Sequence, residues 1–196
     1  NIKGVNVELI IEDGFNDRDS AIIIDNGKNK IINLNDCHPS FEKIKKYSKD
    51  VDLLLMQCSS AIWWPCVYDY PIEELIIKCQ QKRRNVLNRA FEYARRIKPK
   101  YVVPNAGPPV FLHDKFKFWD ETREFDFNPF PLHDDIDNFF KENNIPSLFI
   151  IPGSLIKLDG QQILNKTNTK EKEYIYDNFK KYLEDLRSKK KREGHI

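Results

Sequence analysis

The sequence lacks the patterns by which several classes of protein are recognised. It has only four cysteines, which form no CxxC pair, so no disulfide framework is indicated and we expect free thiols in a reducing cytoplasm. No apolar run approaches the roughly 18–20 residues that cross a bilayer, and no signal peptide opens the chain. GxSxG, P-loop and Rossmann glycine motifs are also absent, so we do not expect the sites that they mark.

Neither sign of charge is in clear excess. The 196 residues contain 32 Lys and Arg against 30 Asp and Glu, a net charge of +2. Because nucleic-acid binding relies on a basic field, we expect neither a nucleic acid nor a membrane as the partner. The length suits one domain with a sizeable core. The first residue is Asn1 rather than Met, so we expect the chain to begin inside a longer polypeptide.

What is present is an alternation of apolar runs and turn signals. Apolar runs predict strands at Val5–Glu12, Ala21–Ile24, Lys30–Leu34, Val51–Met56, Tyr101–Pro104, Leu148–Ile151 and Leu155–Leu158. Helical periodicity and capping signals predict helices at Ser40–Tyr47, Pro71–Ile97, Asp134–Asn143 and Lys170–Arg192. On the long second helix, we expect four arginines to point outward: Arg83, Arg84, Arg95 and Arg96.

This order of elements predicts an α/β layered fold. The strands are apolar on both faces, yet the helices are too few to cover both faces of a sheet. We therefore expect one face to pack against something outside this chain, either a sheet from a missing amino-terminal half or a second subunit. Residues 161–196 are interpreted separately, as a charged carboxyl-terminal helix with a basic tail.

A carboxylate, Asp36, directly follows the third predicted strand. Rigid backbone on both sides could aim its oxygens at a metal, although an Asp after a strand also serves as a turn or cap residue. His38 could be a second metal ligand or orient Asp36, and a surface histidine is the plain alternative. Cys37 could bind a soft metal as a thiolate or act as a small buried hydrophobe.

A loop rich in aromatic residues follows the fourth predicted strand. Its Trp63, Trp64 and Tyr68 could wall a pocket for a small-molecule substrate, because loops after central strands of α/β sheets often bind ligands. Core packing explains them equally well. Asn105 and Gly107 follow the fifth strand, where the glycine could let the backbone approach a substrate closely or could simply satisfy a turn.

Several collinear segments resemble a known family. One group of segments resembles the second half of a metallo-β-lactamase-fold domain: the hairpin Asp19–Ile24, Asn26-Gly27 and Ile31–Leu34, followed by Asn35-Asp36-Cys37. A second group of segments is similar to the branch of this fold that contains CMP-N-acetylneuraminate hydroxylase. These segments are Ser59–Tyr68, Lys98–Pro104, Ala106–Pro109 and Phe111-Leu112. The resemblance implies that residues 1–160 are the carboxyl-terminal portion of an αββα layered sandwich.

The same resemblance implies a metal-dependent enzyme in which Asp36 bridges two metals. Related bacterial proteins of the branch often join this fold to a Rieske iron–sulfur domain. The implied activity is an iron-dependent hydroxylase that activates O₂, with electrons from an iron–sulfur or cytochrome partner and the Rieske centre on an absent domain or partner. A zinc-dependent hydrolase of the same fold is the alternative, because one fold hosts several chemistries.

The sequence departs from the family at its metal ligands. The HxHxDH motif of the fold is absent. Asp17, Arg18 and Asp19 stand where relatives can carry a histidine, and Gln57 follows the fourth strand in another such place. Since a transition-metal site needs several converging ligands, either an absent segment supplies the others or the domain is a metal-free scaffold.

Overall fold

A five-stranded mixed sheet organises the chain. The computed structural model describes residues 4–13, 19–60, 62–105, 107–159 and 162–194. The sheet has the order β1-β2-β3-β4-β5, with β1 at Asn6–Ile11, β2 at Ser20–Asp25, β3 at Lys30–Asn35, β4 at Leu53–Gln57 and β5 at Tyr101–Asn105. The first three strands pair antiparallel, and β3, β4 and β5 pair parallel. The predicted strands of this sheet and the turn at Asn26-Gly27 are confirmed, within one or two residues at each end.

Helices connect and follow these strands. The α-helices are α1 at Phe41–Lys45, α2 at Ile72–Ile97, α3 at Lys117–Glu121, α4 at His133–Glu142, α5 at Thr169–Lys172 and α6 at Phe179–Arg192. Ser40 caps α1 by accepting from the Lys43 N–H, as a serine before a helix predicts. Within the described residues, no helix is both long and apolar enough to span a bilayer.

One face of the sheet is closed by helices. Ile32, Leu54 and Val102 are paired side by side across β3, β4 and β5, and all three are fully buried. They belong to a cluster that also contains Ile44 of α1 and Phe140 of α4, together with four buried side chains of α2: Ala90, Tyr93, Ala94 and Ile97. This cluster is the main hydrophobic core.

The opposite face is bare at its outer strands. Leu9 of β1 is 63% exposed and Ile11 is 53% exposed. Ile22 of β2 is paired with Leu9, and its side chain points to the same face because paired residues share a face. Toward the other side of the sheet this face is better covered, since Leu53 and Val103 are buried. The helices therefore cover one face, as expected, and what covers the outer strands stays a prediction.

The structure corrects one predicted strand in the second half of the chain. Leu148–Ile151 is not a strand: pairing stops after the bridge of Ser147 with Val102, because the next residue of β5 that would donate on this side is Pro104, which has no N–H. The strand β6 at Leu155–Asp159 is found, and it pairs with β7 at Gln162–Lys166, which was not predicted. The predicted boundary at residue 160 therefore falls between two paired strands.

The carboxyl-terminal helix is interrupted. The predicted continuous helix Lys170–Arg192 is instead α5, a wide turn at Glu173–Asp177 and then α6. The turn is stabilised because the Asn178 side chain donates to the Glu173 carbonyl at 2.9 Å. Arg83 of α2 was expected to point outward but is half-buried, because its guanidinium pairs with Asp135 at 2.8 Å.

Candidate functional site

Three polar residues mark the carboxyl ends of the parallel strands. Asn35 ends β3 and is paired with Met56, and Gln57 is paired with Asn105. The ladder is irregular just before Asn35, and Asp36 follows in the turn that leaves β3. The carboxyl edge of parallel strands is where open α/β sheets place their ligands.

Asp36 is exposed and largely unpaired. The chain leaves β3 through Asn35, which has a φ of 49°, a left-handed conformation that asparagine tolerates. The Asn35 side chain donates to one carboxylate oxygen of Asp36 at 2.8 Å. No described residue donates a hydrogen bond to the other oxygen. That oxygen is therefore available to a cation or to water.

His38 lies two residues further on and is half-buried. Its backbone N–H donates to a Glu12 carboxylate oxygen at 3.1 Å. Burial, followed by the positive charge of Arg89, lowers the pKa of the imidazole, while the nearby acids Glu12, Asp36 and Asp19 oppose the shift. The ring is therefore neutral at pH 7, the form that can ligate a metal. Asp17 and Arg18, the other candidates near this point, lie outside the described residues.

The described residues do not form a complete metal site by themselves. Among them, no group of three or more His, Cys, Asp or Glu side chains converges as metal ligands. A mononuclear iron or zinc site needs several such ligands, and a Rieske cluster needs two cysteines and two histidines. Asp36 and His38 could supply two ligands of a metal site, but these two side chains do not form a complete site by themselves.

The cysteines of this region are protonated and buried. Cys37 is almost fully buried, and burial, with the charges of Asp19, Glu12 and Asp36, raises the pKa of its thiol to about 11. Burial also raises the pKa of Cys58. Both thiols are therefore protonated at pH 7, and they pack as small buried hydrophobes.

Two buried oxygens near the same edge have no hydrogen-bond partner among the described residues. They are Ser59 Oγ, just past β4, and Asn105 Oδ1, at the end of β5. Gly107 packs directly on Ser59: a Cβ at Gly107 would lie 2.8 Å from the Ser59 Cβ, and the φ of Gly107 is 142°. Since buried polar atoms are normally paired, these two oxygens point to a place where folding was not the sole requirement.

The aromatic side chains of the loop make contacts with other aromatic residues. Trp63 is 54% exposed and packs against Phe111 at 5.5 Å between ring centroids. Tyr68 is 55% exposed and stacks on Tyr70 at 6.0 Å. Phe111 belongs to a second hydrophobic cluster, and neither Trp63 nor Tyr68 lines the recess beside His38. Whether they contact a substrate stays a prediction.

A buried lysine holds the aromatic loop on α2. Lys82 donates to the carbonyls of Ile62 and, at 2.7 Å, Trp64. Its ammonium also lies 4.3 Å from the centre of the Phe130 ring. Burial lowers the pKa of Lys82 to about 8. These hydrogen bonds hold Trp64 against α2, so Lys82 is a structural anchor of the loop.

The sequence-based interpretation missed Lys82 and Arg89, although a signal for both was present. Each lies on the apolar stripe of α2, three or four residues from buried Val86, so each places a cation where the 3.6-residue period predicts an apolar side chain. A cation inside a buried stripe needs carbonyls, a counter-ion or a ligand. Lys82 has carbonyls, and Arg89 has no hydrogen bond or ion pair with a described residue.

Comparisons with known proteins found named relatives but no protein of known fold. No protein-family model and no solved structure matches the chain. A Mycobacterium tuberculosis protein named "Putative Rieske 2Fe-2S iron-sulfur protein" is 31% identical over 144 residues, which are 72% of this chain and 28% of that protein. A Mycolicibacterium smegmatis protein of the same name is 29% identical over 174 residues, 85% of this chain and 33% of that protein.

These matches cover a minor part of the relatives. The chain spans about a third or less of the length of the curated relatives it matches. Their names support the association with Rieske proteins that the resemblance implied. None of the comparisons supports the metallo-β-lactamase-like fold, a monooxygenase or a hydrolase, and the fold remains a prediction. The chain is thus similar to one part of proteins that are named for an iron–sulfur centre.

Proposed function

We propose that this chain is part of an iron-dependent oxidoreductase and that it supplies the substrate-facing edge of the site. The observation that carries the proposal is the exposed carboxylate of Asp36, in the turn that follows β3 at the carboxyl edge of the parallel strands. Asp36 would be one ligand of the iron, with His38 as a second ligand or an orienting group. The small-molecule substrate would lie along this edge, with the loop of Trp63 at its margin.

The remaining ligands would come from outside these 196 residues. We propose that the chain is the carboxyl-terminal half of a metallo-β-lactamase-like αββα sandwich, and that a second β-sheet from another segment of the same protein covers the bare face. Leu9 and Ile11 support this, because sheets pack face to face through such alternating apolar residues at about 10 Å. The relatives are long enough to contain such a segment.

Substitutions on the bare face test its proposed cover. In the full-length protein we expect Leu9→Asp to lower the free energy of unfolding by about 2–4 kcal/mol, since a buried carboxylate without a partner is costly. The control is Leu164→Asp on β7, a leucine that is similarly exposed. Equal small effects would show that the face stays bare, and a discrete dimer that Leu9→Asp dissociates would show that a second copy covers it.

The electrons would come from a Rieske centre carried by another domain or by a partner. The relatives are named for such a centre, and the ligand set that it needs is not assembled by the described residues of this chain. In this proposal the chain itself does no redox chemistry. It binds the substrate and contributes Asp36 to the iron that receives the electrons.

A metal-free scaffold is the second candidate. It is favoured by the absence of any three-ligand group within the described part of the chain. In that case Asp36 would be a solvated turn residue, and the chain would serve to position a Rieske domain. The two candidates differ in what Asp36 binds, which makes that carboxylate the residue to test.

Metal analysis of the full-length protein separates the candidates. We expect Asp36→Asn to lose the mononuclear iron while the iron of the cluster, followed by its paramagnetic resonance spectrum, is kept. The control is Asp50→Asn, an exposed Asp at the opposite end of the parallel strands. Substrate-dependent O₂ uptake should fall with the mononuclear iron. Zinc with hydrolytic turnover would support a hydrolase instead, and metal content unchanged in Asp36→Asn would support the scaffold.

A further inference from the structure

A small recess opens where α2 crosses the carboxyl ends of β3 and β4. It encloses about 200 Å³, counting its open mouth, and its interior has room for about one water molecule. Polar side chains in its lining are Asn35, His38, Gln57, Arg89 and Tyr93. The recess therefore fits a single polar group of a larger molecule rather than a whole ligand.

Arg89 stands out among the arginines of α2. Arg83 pairs with Asp135, and Arg95 and Arg96 pair with Glu92. Arg89 is half-buried, yet within the described residues it makes no hydrogen bond and no ion pair. A guanidinium that loses water without gaining a partner costs free energy. Such a cost is expected where the partner is a ligand.

Among the residues that the structure describes, no carboxylate compensates the charge of Arg89. Burial lowers the pKa of Arg89, and the groups that oppose this shift are the phenol of Tyr93 and the thiol of Cys58. Both groups are neutral at pH 7, because burial raises the pKa of Tyr93 to about 12 and also raises that of Cys58. Asp36, the acid that follows β3, is not part of the recess lining. Within the described part of the chain, the positive charge at the recess is therefore not neutralised.

The other polar groups of the recess can donate to the same anion. The Gln57 side chain has an amide donor, and the imidazole of His38 has at least one N–H in either protonation state. The Tyr93 hydroxyl is already engaged, since it donates to the Pro39 carbonyl at 2.5 Å. A planar guanidinium fork matches two oxygens of a carboxylate or a phosphate. Three donors and one net positive charge make a site for an anionic oxygen group.

We propose that Arg89, assisted by Gln57 and His38, binds the carboxylate or phosphate group of a small molecule in this recess. The inference rests on the proposed function only in naming that molecule as the substrate. The recess itself is lined by residues of this chain alone. An anion held there would place the rest of the molecule along the carboxyl edge of the sheet, where Asn35 and Cys37, the neighbours of Asp36, line the recess.

Chemical modification tests this directly. Phenylglyoxal reacts with accessible, unpaired arginines, and peptide mass spectrometry of the modified full-length protein measures the rate at each position. We expect inorganic phosphate or acetate, at concentrations on the order of 10 mM, to slow the modification of Arg89 at least fivefold. Arg84, an exposed arginine on the same helix, should react at an unchanged rate. The anion that protects better identifies which group the site takes.

Two results would overturn the proposal. Modification of Arg89 at the same rate with and without both anions would show that no anion site exists. An Arg89 that does not react at all, even without added anion, would show that a carboxylate from another segment already pairs with it. Repeating the measurement after chelation of iron keeps the two proposals apart: protection that survives in a protein without mononuclear iron supports the anion site even where the oxidoreductase proposal fails.

A second variant supports the assignment independently. Arg89→Gln removes the charge and keeps a polar side chain of similar length. We expect the better anion to raise the melting temperature of the wild type and of Arg84→Gln by the same amount, because a ligand of the folded state stabilises it. The shift should disappear in Arg89→Gln. An equal shift in Arg89→Gln would contradict the proposal.

Discussion

The buried polar groups at the two ends of the parallel strands differ in their hydrogen bonding. At the amino end, the buried carboxylate of Asp52 accepts hydrogen bonds from the Lys30 N–H at 2.8 Å and the Asn29 side chain at 3.3 Å. It also pairs with Lys100 at 2.6 Å. At the carboxyl end, Ser59 Oγ and Asn105 Oδ1 are buried, and neither has a hydrogen-bond partner in the part of the chain that the structure describes.

This contrast indicates which end was shaped by folding and which by function. The same three strands form both ends, so strand pairing cannot explain the difference. Pairing every buried polar group is the requirement of folding, and the amino end satisfies it around Asp52. Groups left unpaired at the carboxyl end lower stability, a cost that natural proteins commonly carry at their functional sites.

Loss of the Asp52 charge should have the largest effect on stability. Burial alone would raise the pKa of Asp52, but the hydrogen bonds from Lys100, Lys30 and Asn29 outweigh it and lower the pKa from 3.8. We expect Asp52→Asn to cost about 2–3 kcal/mol at pH 7, measured by urea unfolding.

The pH dependence of this effect has a definite sign. Because the pKa of folded Asp52 lies below the unfolded value, its contribution is present above about pH 3.8 and is lost as the pH falls through the folded value. The difference in unfolding free energy between wild type and Asp52→Asn should therefore shrink as the pH is lowered below about 3.8. A difference that does not change with pH would mean that the charge of Asp52 does not stabilise the amino end.

A methyl group at Gly107 should have the next largest effect. Gly107→Ala brings a Cβ to 2.8 Å from that of Ser59 and adds strain at a φ of 142°. We expect a loss of about 1–2 kcal/mol. Gly27→Ala is the control, because Gly27 also has a positive φ but open space around it. A loss no greater than that of Gly27→Ala would contradict the close approach of Gly107 and Ser59.

Removal of the Ser59 hydroxyl should change stability little. Ser59 Oγ is buried and unpaired, so Ser59→Ala deletes no hydrogen bond, and we expect a change within about 0.5 kcal/mol. The control is Ser147→Ala, since Ser147 Oγ donates to Asp137 at 2.6 Å and its loss should cost about 1 kcal/mol. A cost for Ser59→Ala that equals the control would show that this oxygen is paired after all.

The smallest effect on stability is expected at Asp36. Its carboxylate is exposed and accepts one hydrogen bond, from the adjacent Asn35. We expect Asp36→Asn to change the unfolding free energy by less than about 0.5 kcal/mol. A loss well above about 1 kcal/mol would make Asp36 a structural turn residue, the alternative to a metal ligand.

The sequence predicted that Asp36 and Asn105 stand at strand ends, because strand ends are local features. Each residue follows an apolar run, and parallel pairing brings such ends to one edge. The unpaired state of Ser59 and Arg89 could not be predicted, because pairing depends on side chains that are distant in the sequence. The packing of Trp63 could not be predicted for the same reason: where a loop packs is decided by its tertiary neighbours, here Phe111.

The central claim is that the carboxyl end of the sheet holds iron through Asp36. Anomalous X-ray scattering at the iron absorption edge, from crystals of the full-length protein, tests it most directly. We expect an iron peak within bonding distance of a carboxylate oxygen of Asp36, separate from the peak of the iron–sulfur cluster. Iron peaks confined to the cluster, with Asp36 surrounded by solvent, would contradict the claim.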